Sequence, residues 1–344
     1  QILEKQRILF GIVALLFSTL SFGQTYYLRG DWVDGWSNPH IFSSGRGDVQ
    51  QVKNQTAASW NSWDFLIVAN GYDDRWDLDA INWNGVMTST FGNVFTNLGN
   101  SYTNSAPTAS TYYCINIANT GYSNQEVALI QIGTSAPQTF SSQTLTTSPS
   151  NASVDVTMGA SLSSEEKLYI VYRNTSSSNW KKIEPSTSSG STYTFSIPRQ
   201  DQGSTVEYFV ISTSNSMSLI DDQSEAYYNL RSIEHLDNIG SAFSYTQPTN
   251  TWDGTSWSST FTSGDNVSFG ADYTVSAGSS LEVGSIEVSS GYTLTIDASS
   301  SGYGQLKASG SITNNGTIIQ KQYIGSTGHH GISSPMSAGF GTTS

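Results

Sequence analysis

The sequence has a single cysteine, Cys114, so no disulfide can form within the chain, and its fold must rest on ordinary cores. Basic residues are scarce as well. There are 14 Lys plus Arg against 27 Asp plus Glu, a formal charge of −13, and no cluster of cations that could neutralise a phosphate backbone, which argues against a nucleic-acid partner. Histidine occurs at His40, His235 and the His329-His330 doublet, none of them at metal-ligand spacing with another His, Cys or carboxylate. There is no GxSxG elbow, no phosphate-binding glycine loop and no HExxH helix. No catalytic site, metal site or cofactor site can therefore be read from the sequence. Beyond the N-terminal segment no run approaches the roughly 20 apolar residues that span a bilayer, so membrane insertion is not expected.

The N-terminal segment itself has a basic flank, Lys5 and Arg7, an apolar run from Ile8 to Leu20, and the small-residue pattern Ser21-Phe22-Gly23. This predicts a secretory signal peptide over 1–23, cut after Gly23. The chain starts without Met, so residues 1–4 are expected to be foreign to the natural protein. Export places the rest of the chain outside the cell or on its surface.

Almost nothing in the remaining sequence has helical periodicity. Short runs rich in Val, Ile, Thr, Tyr and Phe recur between Gly, Ser and Asn clusters, which predicts an all-β protein of two or three domains. A first block over 24–140 holds the strand candidates YYLR, WDFLIV, YYCINI and VALIQI. Cys114 in TYYCINI reads as a small buried strand residue. The Ser/Thr-rich stretch SSQTLTTSPSNAS is expected to be a joint to a second block, 141–246. There Val154, Val156 and Met158, then Leu168, Ile170 and Tyr172, then Tyr193, Phe195 and Ile197, then Val206, Tyr208 and Val210 alternate with period two. Such strands predict an immunoglobulin-like or fibronectin-like sandwich.

A third block over 251–324 is built of very short strand candidates. Gly284-Ser285-Ile286 followed by Gly291 is echoed by Gly310-Ser311-Ile312 followed by Gly316, a repeat of about two dozen residues with glycines at corners. That pattern predicts a β-solenoid-like region, with a third sandwich as the alternative. Residues 325–344 end at SSPMSAGFGTTS without a terminal element, and the natural protein is expected to continue beyond this truncated tail.

Carboxylates cluster once, in Gly71-Tyr72-Asp73-Asp74-Arg75-Trp76-Asp77-Leu78-Asp79. The run lacks the ligand order of a helix-loop-helix calcium loop, since Ile81 falls at an oxygen-ligand position and no closing Glu follows. A strand or loop here would scatter its acids over both faces. Tryptophan is the stronger anomaly. Of nine, six lie between Trp32 and Trp83, interleaved with Asp, Asn and Gly. Aromatic faces stack on the apolar faces of sugar rings while neighbouring Asp, Asn and Arg meet the hydroxyls. Some of the six, Trp63 above all, are expected in the core.

YYLRGDWVDGW followed by WDFLIVANGYDDRWD resembles the pattern of starch- and glycogen-binding modules: a first strand ending in Arg-Gly, a Gly-Trp turn, then a strand leading to a second Trp. The resemblance implies a carbohydrate-binding-like β-sandwich over 24–140, with Trp36 and Trp76 as the glucan platform. Leu66 departs from the lysine usual in that second strand. Trp32, Tyr72 and Asp74 complete the candidate ligand-binding set. The whole chain also resembles large exported surface proteins of the type IX secretion kind, whose C-terminal sorting domain it lacks. Together these imply a non-catalytic polysaccharide-binding protein, secreted or held among cell-surface components. The alternatives are a structural adhesin or stalk without a sugar site and the non-catalytic front of a larger secreted hydrolase. Arg-Gly-Asp occurs twice, at Arg29–Asp31 and Arg46–Asp48, a tripeptide short enough to arise by chance.

Overall fold

The structure, a computed structural model, describes residues 26–30, 35–55, 65–69, 74–78, 85–91, 110–118 and 125–325. Its described part is almost wholly β, as the composition and period-two patterning predict. Two compact units divide the chain. One comprises Gln1–Leu145, Ser153–Ile197 and Val206–Tyr245; the other comprises Thr146–Ala152, Pro198–Thr205 and Thr246–Ser344.

The first unit begins with β1 (Tyr26–Gly30), β2 (Gly35–Ile41), β3 (Ser43–Ser44), β4 (Val49–Gln55) and β5 (Phe65–Ala69). β6 (Asp74–Leu78), β7 (Gly85–Phe91), β8 (Tyr112–Ala118) and β9 (Gln125–Gly133) follow. All nine form one antiparallel sheet in the order β2-β1-β5-β6-β7-β9-β8-β4-β3.

Next come β10 (Phe140–Thr147), β11 (Asn151–Met158), β12 (Glu166–Asn174), β13 (Lys181–Ile183) and β14 (Thr187–Ser189). They are followed by β15 (Thr192–Pro198), β16 (Thr205–Ser214), a short helix α1 (Glu225–Leu230), β17 (Glu234–Leu236) and β18 (Phe243–Thr246). The strands make two sheets, β10-β11-β15-β14 and β13-β12-β16-β17, with β18 also on β16. The Ser/Thr-rich stretch expected to be a joint is mostly strand β10 and the turn into β11.

The middles of β12 (Leu168 to Tyr172) and β16 (Tyr208 to Ile211) are apolar at every position, and both of their faces are used. Their even-numbered residues Leu168, Ile170, Val206, Tyr208 and Val210 are buried on the sandwich side, where the Tyr208 hydroxyl donates to Gln143 Oε1 of β10 at 3.0 Å. Their odd-numbered residues Tyr169, Val171, Phe209 and Ile211 form one cluster with Cys114, Ile130 and Ile132 of β8 and β9. Trp180, Tyr228 and Ile233 close it, with the Trp180 and Phe209 rings edge to face at 5.0 Å. The β8–β9 sheet, the β12–β16 sheet and the β10–β11–β15 sheet thus succeed one another as three layers. Two-sided burial explains why these strands read as continuous apolar runs, as in any strand covered on both faces.

The second unit holds parallel strands: β19 (Asn250–Trp252), β20 (Val267–Phe269), β21 (Tyr273–Val275), β22 (Ser280–Val283), β23 (Ile286–Val288) and β24 (Thr293–Ile296). A small hairpin of β25 (Ala298–Ser299) and β26 (Gly302–Tyr303) precedes β27 (Gln305–Ala308), β28 (Ile312–Asn314) and β29 (Thr317–Gln320). β19-β20-β23-β28, β21-β24-β29 and β22-β27 are three parallel faces of a solenoid. The glycine repeat is the rung itself, since Ile286 pairs with Ile312 and the Ser285 and Ser311 hydroxyls stack at 3.4 Å. A Cβ at Gly284 would overlap the carbonyl oxygen of Gly264 in the rung before, so only glycine fits that corner. Val267, Phe269, Leu281, Val283, Ile286, Val288 and Leu294 fill the interior. The hairpin Trp252–Trp257 and the rings of Phe261 and Tyr273 pack against them at the first rung. Loops of the same unit close that end: Gln247 Nε2 donates to Ser148 O at 3.0 Å, and Arg199 pairs with the buried carboxylate of Asp265.

Two outcomes are expected. Ile130→Ala in β9 and Phe209→Ala in β16, on opposite sides of one cluster, should each lower the same thermal transition, by about 2–5 kcal/mol; separate transitions for the two would contradict a shared core. The Arg199 hydrogen bond holds the Asp265 carboxyl below its usual range. A depressed carboxylate stabilises the fold above its unfolded pKa of about 3.9 and loses that contribution as pH falls through the lower folded value. Arg199→Ala should thus cost about 1 kcal/mol at neutral pH, with Arg199 one-third exposed. The difference from the wild type should shrink as pH falls from the ordinary carboxylate range through the lower folded pKa of Asp265, in melts of the whole chain.

Candidate functional site

Position by position, the candidate ligand-binding set falls as follows. Trp36 lies in β2, Trp76 in β6 and Asp74 at the start of β6, while Trp32 and Tyr72 lie outside the described residues. Trp63 does too. β2 and β6 belong to one sheet with β1 and β5 between them, so Trp36 and Trp76 stand three strand spacings apart, about 14 Å across the sheet.

Cross-strand register then places Trp76 on a face. Directly paired residues share a face, and alternate residues along a strand share one too. Trp76 pairs with Ile67 and Phe91, and Ile67 pairs with Leu28. Phe91 alternates with Ser89 and Met87, and Met87 pairs with Val127. Val127 and Leu129 are wholly buried. Trp76 therefore falls on the sheet face that carries Val127 and Leu129.

The carboxylate run contains a strand, β6, in which Asp74 and Asp77 are an odd number of residues apart and fall on opposite faces. Asp73 and Asp79 lie outside the described residues. Among the described residues no group of three His, Cys, Asp or Glu could hold a metal ion, and no helix is long and apolar enough to cross a membrane.

The remaining reactive groups are engaged in structure. Burial pushes the Cys114 thiol up to about 12, and its Sγ lies 3.2 Å from Asn116 Oδ1. Burial also raises the carboxyl of Glu166, whose oxygens accept from the backbone N–H groups of Gln138 at 3.1 Å and Ser163 at 3.3 Å. His235 is half-buried in β17, and that burial lowers its pKa against the raising effect of the nearby Asp237 carboxylate. Asp253, in the Trp252–Trp257 hairpin, is held down to about 2 by the backbone N–H groups of Ser256 and Thr255. Trp252 and Trp257 thereby belong to the first rung, with Trp252 Nε1 donating to Asp272 O at 2.9 Å.

Sequence reading missed the role of Arg46. It belongs to the second Arg-Gly-Asp, yet it is only 2% exposed. Its guanidinium pairs with Glu225, lies 3.0 Å from Asp237 Oδ2, donates to Asn229 Oδ1 at 3.0 Å and stacks on the Phe209 ring at 3.7 Å. Beside it Gln51 Nε2 donates to Asn116 Oδ1 at 2.9 Å and to Ser232 O at 3.0 Å, and Lys53 pairs with Glu234. These groups tie β4 and its flanking loop to α1 and β17. No local signal marks Arg46 as buried, because its acids lie some 180 residues away in sequence. Arg46→Ala should cost about 3 kcal/mol by leaving the buried Asp237 carboxylate unpaired. The exposed Asp48→Ala should stay within about 0.5 kcal/mol. Thermal melting checks both, and an adhesive tripeptide would instead tolerate loss of either side chain without unfolding.

No protein-family model matches the chain, and no curated protein sequence matches it. Among solved structures it is similar to the chicken interferon gamma receptor alpha chain, at 11% identity and a TM-score of 0.23, over 50% of this chain and 96% of that one. It is also similar to the pullulanase of Bacillus acidopullulyticus, at 15% identity and a TM-score of 0.15, over 57% of this chain and 28% of that one. Likeness at that level decides neither fold nor function.

Proposed function

We propose that this chain is an exported, non-catalytic polysaccharide-binding protein of the extracellular space or cell surface, with an α-glucan or similar neutral polymer as its ligand. The observation that carries this reading is the placing of Trp36 and Trp76, from a segment unusually dense in tryptophan, on two strands of one broad sheet. The acidic chain suits a neutral ligand over an anionic one, since like charges would hold an anionic polymer off. The resemblance to exported surface proteins of the type IX secretion kind gives the same setting.

A second reading, a stalk or adhesin spacer without a sugar site, is favoured by one observation: Trp76 falls on the face shared with the buried Val127 and Leu129. The two readings part in experiment. On affinity gels containing soluble starch or other polysaccharides, the whole chain should be retarded, and Trp36→Ala should reduce the retardation while leaving the melting temperature nearly unchanged. A wild-type chain that runs unretarded in every polysaccharide would leave the spacer as the function.

A further inference from the structure

The polar ties between the nine-stranded sheet and the elements that follow β16 gather around one strand, β17. It ends its sheet in the order β13-β12-β16-β17 and is held to β16 by three cross-strand pairs, Val210 with Leu236, Ile211 with His235 and Ser212 with Glu234. From the other side β4 and its flanking loop grip it. Lys53 Nζ donates to Ile233 O at 3.1 Å and pairs with Glu234, while Arg46 pairs with Asp237 and with Glu225 of α1. Asn116 Nδ2 of β8 donates to Leu230 O at 2.8 Å and to Ser232 O at 2.6 Å. So short a strand has little ladder of its own, and these side chains hold it in place.

His235 stands in the middle of that clasp. It shares a face with its partner Ile211, which belongs to the cluster between the layers. Ile233, two residues before, is buried in the same cluster, and Asp237, two residues after, meets Arg46, whose guanidinium stacks on Phe209. The imidazole is half-buried, and its charged neighbours are Asp237, Arg46, Glu234 and Lys53, with Glu225 joined to Arg46. Cys114 of β8 also faces the cluster, and burial keeps its thiol neutral. The two carboxylates beside His235 already serve a cation each, Asp237 that of Arg46 and Glu234 that of Lys53. A proton on His235 would add a third cation to a half-buried site whose acids are engaged.

We infer that His235 makes this junction an acid-sensitive clasp, closed while the imidazole is neutral and loosened when it is protonated. Opening would free β17 from β16 and lift Tyr228 of α1 and Ile233 off the cluster that holds Cys114, Trp180 and Phe209. The direction follows from the surroundings of the ring. Burial outweighs the attraction of Asp237 and Glu234, so the folded chain takes up this proton at a lower pH than the unfolded chain does. The clasp is therefore at full strength above the ordinary histidine value of about 6.5, and loses strength as pH falls through that value toward the lower folded one.

The buried thiol of Cys114 reports the opening in the intact chain. Its reaction with dithiodipyridine, which reads thiols in acid as well as at neutral pH, is compared at each pH with that of the urea-unfolded chain, so that the thiol's own pH dependence cancels. Between about pH 7.5 and about pH 5.5 the protection of Cys114 should fall several-fold in the wild type and stay level in His235→Gln, whose side chain gains no charge. A nuclear magnetic resonance titration of the wild type needs no variant: the His235 ring should titrate below the ordinary histidine value. Equal loss of protection in the wild type and in His235→Gln would overturn the inference. So would wild-type protection that does not change over this range, or a ring that titrates at or above the ordinary value.

Discussion

Burial of β12 and β16 on both faces is the constraint from which the rest of the first unit follows. A strand that carries apolar side chains at odd and even positions alike cannot be served by a single partner sheet. The even set meets the sandwich, and the odd set meets β8 and β9. Each fully buried Ile, Val or Phe contributes about 1.5–3 kcal/mol relative to exposure, so neither face could be left in water. The nine-stranded sheet is thereby held to the sandwich by a core and not by a linker. The polar ties around Arg46, Gln51 and Asn116 then set the alignment of the layers. Buried hydrogen-bonding groups must find their partners or lose several kcal/mol, whereas apolar contact alone tolerates sliding.

The solenoid obeys a different rule. Its rungs have little interior of their own, and each becomes stable by lying on its neighbour in parallel register. Glycine at the corners permits the close backbone approach, and the aromatic hairpin Trp252–Trp257 supplies bulk at the first rung where no full rung precedes it. The same tryptophan residue type thus fills a core in the second unit, as Trp180 does in the first.

Much of this was legible in the residues. Period-two runs marked the strands of the sandwich, the Gly-Ser-Ile repeat marked the rung, and YYCINI marked Cys114 as a buried strand residue. The three-layer arrangement was not read, although its signal was present: LYIVY and VALIQI are apolar at both parities, which one-sided strands seldom are. Following only every second residue hid the other half of the pattern. The burial of Arg46 had no local signal at all, since it depends on Glu225 and Asp237 brought close only by the fold. For the candidate site, the sequence suggested a turn at Trp36 and a position after a strand for Trp76, whereas both lie within strands, and the face on which Trp76 falls required cross-strand register, which short-range sequence does not contain.

The central claim is that β9 and β16 belong to one cooperative core. Native-state hydrogen exchange on the whole chain tests it most directly, because amides in one cooperative unit exchange through the same opening. The slowest amides of Ile130 and Ile132 in β9 should show the same opening free energy as those of Phe209 and Ile211 in β16, and the same denaturant dependence. If the β9 amides exchange through a separate, lower-energy opening while β16 stays protected, the sheet and the sandwich are independent domains and the shared core is wrong.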